Sequence, residues 1–188
     1  EAHAGSLADR AAIRQDESMT GPSELEVRIQ RLEDIEAIKK LKALYCKLCD
    51  DNYDADGLAA CFTEDAVWDG GTTFGVANGR EAIRRHFQGA SKRVTIARHQ
   101  VMNPIIEIGS GDDGNHATGH WLLFQPCTNA GPERTDAMWL AATYADTYRR
   151  TDEGWLISGT TIDVAFFTTF DKGWVEERYL PGRAPAGK

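Results

Sequence analysis

This 188-residue chain contains no run of about 18 apolar residues, the length a helix needs to cross a bilayer. Its N-terminus also lacks the basic-then-apolar pattern of a secretory leader, so the chain reads as soluble and cytoplasmic. Cysteine is scarce. Four in a chain this long make no small-domain disulfide framework, which fits a reducing compartment and four free thiols. The Cys46-x-x-Cys49 spacing lacks the second pair that a structural zinc site needs, and the redox version opens a helix after a strand instead of lying late in one. Buried small hydrophobes account for it better. Positive charge is short too: 21 Lys and Arg face 29 Asp and Glu, for a net charge of -8. Nucleic acid is thereby disfavoured as a partner, because its footprint is a basic face. No Gly-x-Ser-x-Gly elbow is present for a serine nucleophile. Neither Gly70-Gly71 nor the Gly109 to Gly114 stretch matches a phosphate-cradling loop, so no nucleotide cofactor is implied. What remains is an uncharged or weakly polar small ligand.

Hydrophobic residues make up 41% of the chain, enough for a real core in one domain with an appendage. Residues 1–22 show little periodicity and many small polar residues, as a mobile arm does, and Met19 is a candidate native start. The domain is expected over 23–175, with a C-terminal tail over 176–188 that is expected to be loose over 181–188. Ser23, with Glu24 and Glu26 after it, signals a helix N-terminus. The helix should run over 23–50, with a break near Glu33-Asp34 and its first half available to a partner subunit. Ile35, Ile38, Leu41, Leu44, Tyr45 and Leu48 recur at helical spacing and predict the buried stripe. A short helix is expected over 55–62, a strand at Ala66-Val67-Trp68, and a further helix over 80–88. Four long antiparallel strands follow, over 94–108, 117–125, 135–150 and 155–170, punctuated by turn clusters. Helices first and long hairpins afterwards indicate an α+β domain whose strands curl into a cup.

Polar residues on these elements suggest chemistry. Tyr45 lies on or beside the buried stripe, where a phenol needs a partner for its hydroxyl. His99 begins a strand on which alternation sets His99, Val101 and Asn103 on one face. A histidine facing an apolar interior, with one ring nitrogen held by a carboxylate, is a competent proton acceptor near neutral pH; Asp50 or Asp51 is the candidate carboxylate. A core tyrosine and a structural strand histidine are the plainer readings of the same residues. His116 and His120 stand four apart on one strand face, but no third ligand accompanies them, so no metal site is predicted. His86, beside Arg84 and Arg85, is expected to be solvated.

The run from Asp34 to Lys42, followed by Tyr45 and Asp50, and then Phe62-Thr63-Glu64-Asp65-Ala66-Val67-Trp68, resembles the SnoaL-like branch of the NTF2-like superfamily. The match is closest to bile-acid 7α-dehydratases and continues through His99, Asn103-Pro104, Gly119-His120-Trp121, Tyr144 to Tyr148, and Gly154-Trp155. Scytalone dehydratase and hexachlorocyclohexane dehydrochlorinase look like more distant relatives. The resemblance implies an NTF2-like cone (an α+β barrel), with long N-terminal helices packed on a strongly curved, mainly antiparallel sheet. It also implies a homo-oligomer, a trimer ahead of a dimer, with Phe166, Phe167, Phe170 and Trp174 as contact surface or lid.

Carried over residue by residue, Tyr45 matches the family's catalytic tyrosine, Asp50 the aspartate that orients the histidine, and His99 the base. Asp51 stays a rival to Asp50. Trp68, Trp121, Leu123 and Gln125 are expected to line the cup, with Ile162, Val164 and Phe166 from the last strand. Gln125 and Val164 depart from the bile-acid enzymes, which place an aspartate and an arginine there. The implied activity is a cofactor-independent lyase of dehydratase type acting on a steroid, terpenoid, polyketide or aromatic ring. The alternatives are an isomerase or cyclase with the same dyad, and a non-catalytic binding or assembly module.

Overall fold

The computed structural model describes residues 23–109 and 114–185. The expected N-terminal arm and the end of the expected tail lie outside the described residues. The chain divides into two compact units, with the boundary between Glu33 and Asp34. In the first, Ser23 and Glu26 form a reciprocal capping box. The Glu26 N–H donates to Ser23 Oγ at 3.3 Å, and the Ser23 N–H donates to the Glu26 carboxylate at 2.7 Å. Two orphan donors at the helix start are satisfied this way.

Helix α1, Glu24–Asp50, is continuous through Glu33-Asp34, where a break was expected. Its buried positions are Asp34, Ile38, Lys42, Tyr45, Cys46 and Cys49, so the buried stripe is rotated from the one predicted, and Leu44 faces out. The cause is two buried charges that hydropathy alone assigns to solvent. Asp34 accepts from the indole N–H of Trp155 at 3.1 Å and pairs with Arg150. Lys42 Nζ lies 2.9 Å from Asp146 Oδ2 and 3.4 Å from the centre of the Tyr144 ring. Asp146 also accepts from the Tyr148 hydroxyl at 2.8 Å, and that hydroxyl accepts from the Trp121 indole at 3.1 Å. Each charge is tolerated inside because a partner compensates for the water it lost.

The remaining elements are α2 (Ala55–Ala60), β1 (Phe62–Asp69), α3 (Gly71–Phe74), β2 (Val76–Asn78), α4 (Arg80–Phe87), β3 (Gln100–Ile108), β4 (His116–Ala130), β5 (Thr135–Thr151), β6 (Gly154–Thr169) and α5 (Gly173–Glu176). Asp54 caps α2 by accepting the Gly57 N–H at 3.2 Å. β1 starts four residues before the predicted strand, and β3 six residues after its own predicted start. The unit from Asp34 onward is α+β, as expected. Its six-stranded sheet runs β2-β1-β6-β5-β4-β3, antiparallel except where β1 runs parallel to β6. The sheet does not close, so β2 and β3 are edges and the barrel part of the expectation is corrected to an open sheet.

Register shifts decide which side chains face the core, and of the four among the described residues two fall at expected wall residues. Between β5 and β6 the register passes from Ala142↔Val164 to Ala141↔Phe166, so β6 carries one extra residue. A one-residue slip exchanges the two faces of a strand. Between β3 and β4 the register passes from Met102↔Leu122 to Ile105↔His120, with Asn103 in a left-handed conformation at φ 51°.

The tail is not loose over its described part. The Phe167 N–H donates to the Arg178 carbonyl, the Leu180 N–H to the Phe167 carbonyl, and Thr73 Oγ1 to the Arg183 carbonyl at 2.7 Å.

Removing the Asp146 carboxylate would strand a buried ammonium. Urea denaturation of Asp146→Leu should show a loss of about 3–5 kcal/mol, and adding Lys42→Met in that background should recover much of it. All four cysteines are free and buried, and burial pushes the Cys46 and Cys127 thiols up to about 12 and Cys61 up to about 11. Ellman's reagent at neutral pH should therefore label no thiol in the folded protein and four in denaturant.

Candidate functional site

Asp50, the last residue of α1, meets the chain just ahead of β3. Its carboxylate accepts the His99 backbone N–H through both oxygens, at 3.0 and 3.1 Å, and lies 2.6 Å from His99 Nδ1. One carboxylate thus fixes both the position of the residue and the orientation of its ring. With Nδ1 engaged as a donor to Asp50, Nε2 is the nitrogen left to accept a proton. Asp51, the rival, is exposed and pairs with Lys47 one turn back. The geometry therefore gives the histidine to Asp50.

His99 lies on the wall of a cavity of about 170 Å³ that Tyr45 also lines. Tyr45 is buried, with its ring edge-on to Phe62, Phe87 and Tyr144 at centroid distances of 5.9–6.4 Å. Its hydroxyl accepts the Trp68 indole N–H at 3.1 Å, and its own O–H is within reach of the Cys49 thiol. Burial pushes the Tyr45 phenol well above its ordinary range, which keeps it a neutral donor. The cavity therefore holds a base oriented by a carboxylate and a phenol in its acid form.

Of the other expected wall residues, Trp68, Leu123, Gln125 and Ile162 line the cavity. Gln125 stands opposite His99, as the neighbouring pairs Gln100↔Phe124 and Ala97↔Cys127 require. The rest are placed elsewhere. Trp121 is buried below, tied to Tyr148; Gly119 makes room there, since a Cβ on it would stand 2.9 Å from the Tyr148 ring. Asn103 is exposed at the β3 bulge, which ends the alternation that would have turned it inward. Val101 faces an open groove on the other side of the dyad, with Asp50 and Arg98. Val164 is buried in the core without reaching the cavity. Phe166 is displaced by the β6 bulge and stacks on Trp174 at 4.7 Å, while Phe167 takes the inward place.

Several wall residues were not foreseen. Tyr144 and Leu140 follow from the alternation of β5, a signal present in the sequence. Tyr53 has no such signal. It adopts a left-handed backbone at φ 56°, stacks on Phe87 at 6.1 Å and meets the His99 ring edge-on at 6.4 Å. Burial raises its phenol as well, and Gln125 is its hydrogen-bond partner. His86, expected in solvent, is half-buried in the wall with its ring 4.4 Å from Trp68. Desolvation first, and then the charge of Arg93, hold it below the usual histidine range. Among the described residues, no group of three or more His, Cys, Asp or Glu is placed to hold a metal ion, and no helix is long and apolar enough to cross a membrane.

No functionally curated protein matches the chain by sequence. Solved structures do. A candidate scytalone dehydratase from Novosphingobium aromaticivorans is 20% identical, with a TM-score of 0.67 over 84% of this chain and 96% of that one. A type 3 hexachlorocyclohexane dehydrochlorinase from Novosphingobium barchaimii is 22% identical, with a TM-score of 0.64 over 76% and 94%. An NTF2-like protein with a cystatin-like fold from Novosphingobium aromaticivorans is 23% identical, with a TM-score of 0.60 over 78% and 92%. At these identities the likeness shows the fold. The SnoaL-like domain family matches residues 30–161, well over half of the chain, and the protein therefore belongs to the SnoaL-like domain family.

Proposed function

We propose that the protein is a lyase that eliminates water from a cyclic substrate, with His99 as the base, Asp50 holding it and Tyr45 assisting departure. The observation that carries this reading is the double grip of Asp50 on His99 at the wall of a cavity that also presents the neutral Tyr45 phenol. Two solved structures with this fold are named for eliminations, a dehydratase and a dehydrochlorinase, which supports the same class.

In the proposed step, His99 Nε2 takes a proton from the carbon beside a carbonyl, and Asp50 stabilises the imidazolium that forms. The Tyr45 hydroxyl donates to the departing oxygen on the neighbouring carbon. A C–H and a C–O bond break, a C=C bond forms and water leaves, with no net change in oxidation state. Charge develops against Leu123, Phe87 and Leu140 rather than in bulk water, so each hydrogen bond is stronger than its solvated counterpart.

Cavity size narrows the substrate. An apolar cavity of about 150 Å³ holds benzene, and about 170 Å³ with an open mouth suits a single or fused aromatic-type ring better than a steroid skeleton. Gln125 on the wall, where the bile-acid enzymes carry charge, points the same way.

A suitable probe is 3-hydroxy-1-tetralone, whose dehydration gives fluorescent 1-naphthol. The wild type should produce 1-naphthol above the buffer rate. His99→Ala should lower the rate by about 10²–10⁴-fold, and Tyr45→Phe by about 10²-fold, both with unchanged circular dichroism. Asp50→Asn should lower kcat and raise the proportion of unfolded protein, because it alters a bond to the His99 backbone as well as to the ring. Full activity in His99→Ala would remove the mechanism.

A further inference from the structure

The chain carries eight more negative than positive charges, yet the cavity wall reverses that balance. Its ionisable nitrogen side chains are His86, Arg93, His99 and Arg183, and no Asp or Glu lines it. The two arginines differ in how far their donors are already used. Arg183 donates to the Thr73 carbonyl and accepts from Thr73 Oγ1 through its own carbonyl, so it is tied to α3. Arg93 has a fixed backbone and an unspent head. Its N–H donates to the Ala90 carbonyl at 3.0 Å and its carbonyl accepts the Ala130 N–H at 2.6 Å. Among the described residues its guanidinium pairs with no carboxylate, whereas Arg80, Arg84, Arg134, Arg149 and Arg150 each hold one.

Position along the wall separates this charge from the dyad. His99 stands opposite Gln125 on β4, and Arg93 is bonded at Ala130, five residues further along the same strand. At about 3.3 Å per residue the two backbones are about 16 Å apart, a span that both side chains shorten. The same cavity is lined by Tyr53, Phe87 and Leu140, and by Asn129, which precedes the β4 residue bonded to Arg93.

We propose that the Arg93 end of this cavity is a carboxylate subsite in which Arg93, with Asn129 of the neighbouring strand, receives the acid group of a cyclic carboxylic acid whose ring lies against Phe87 and Leu140. This rests on the lyase reading for its link to turnover and assigns that site its substrate class: a ring with a reacting carbon at His99 and a carboxylate at the far end. A guanidinium suits this task because its planar fork matches the two oxygens of a carboxylate. The burial of the ring would supply affinity, and the rim charge would supply direction. A neutral ring can enter in either sense; an acid enters with its carboxylate outward.

Isothermal titration calorimetry of the full chain with 2-naphthoate and 2-naphthamide, at neutral pH and low salt, tests this. The wild type should bind the acid about tenfold more tightly than the amide, a difference of about 1.4 kcal/mol. Arg93→Gln should bring the acid down to the amide while leaving the affinity for the amide unchanged, which also reports that the variant is folded. His99→Ala should keep the preference. Equal affinity of wild type for the two compounds, a preference that survives Arg93→Gln, or no binding of 2-naphthoate at millimolar concentration would each overturn the subsite. Failure of the lyase reading looks different, because the preference for the acid would then persist in a protein that yields no 1-naphthol.

Discussion

The site depends on one carboxylate making three contacts. Asp50 closes α1 and at the same time holds the His99 N–H and Nδ1. The backbone bonds place the residue ahead of β3, and the ring bond chooses the tautomer. A carboxylate that held only the ring would leave the loop before β3 to set the position of His99. Residues 94–99 form no strand of their own; the Ala97↔Cys127 bridge, the Arg98 N–H to the Pro126 carbonyl and the Thr95 and Ile96 N–H groups to Thr128 Oγ1 lay them along β4, and Asp50 adds the anchor at His99 itself. Orientation of the base and attachment of the loop at His99 are therefore a single interaction, which ties the chemistry to the end of the helix.

The order of the longer helices and strands and the α+β class were legible in the sequence because each rests on a local pattern, whereas the grouping of Tyr45, Asp50 and His99 came from the family resemblance. Period-two alternation marks β4 and β5, and turn clusters separate them. The phase of α1 was not legible. Asp34 and Lys42 sit on the buried face because Trp155, Arg150 and Asp146 wait for them across more than a hundred residues of chain. Hydropathy assigns both to solvent, and no pattern within the helix reveals distant partners. The same reasoning explains His86, whose flanking arginines suggested a solvated face until the packing of α4 set its ring on Trp68.

The bulges explain two of the remaining errors in the cavity wall, Phe166 and Asn103. Alternation is reliable only between them. Along β4, which has none within its central run, Leu123 and Gln125 fall where alternation puts them. On β6 the extra residue exchanges Phe166 for Phe167, and on β3 the extra residue turns Asn103 out. Pro104 marks the second position, since it has no N–H to give to a ladder, but a proline shows only that the pairing is disturbed and not how many residues the disturbance takes.

The turn that follows Asp50 shows what the site costs. Asn52 and Tyr53 both take left-handed backbones, at φ 71° and 56°. Asparagine does so readily, whereas a bulky aromatic residue does not, at a cost of about 1–2 kcal/mol. Without that reversal the chain would leave α1 along its axis and carry Tyr53 away from the wall. With it, the Tyr53 ring stacks on Phe87 and abuts His99, and burial of an aromatic side chain returns about 1.5–3 kcal/mol. The strain is therefore affordable only while the cavity wall is complete. Truncation of Phe87 would remove the return and leave the cost, loosening the turn that holds Asp50. In this way the hydrophobic wall and the polar dyad stabilise each other through a three-residue turn, although no apolar side chain of the wall bonds to the carboxylate itself.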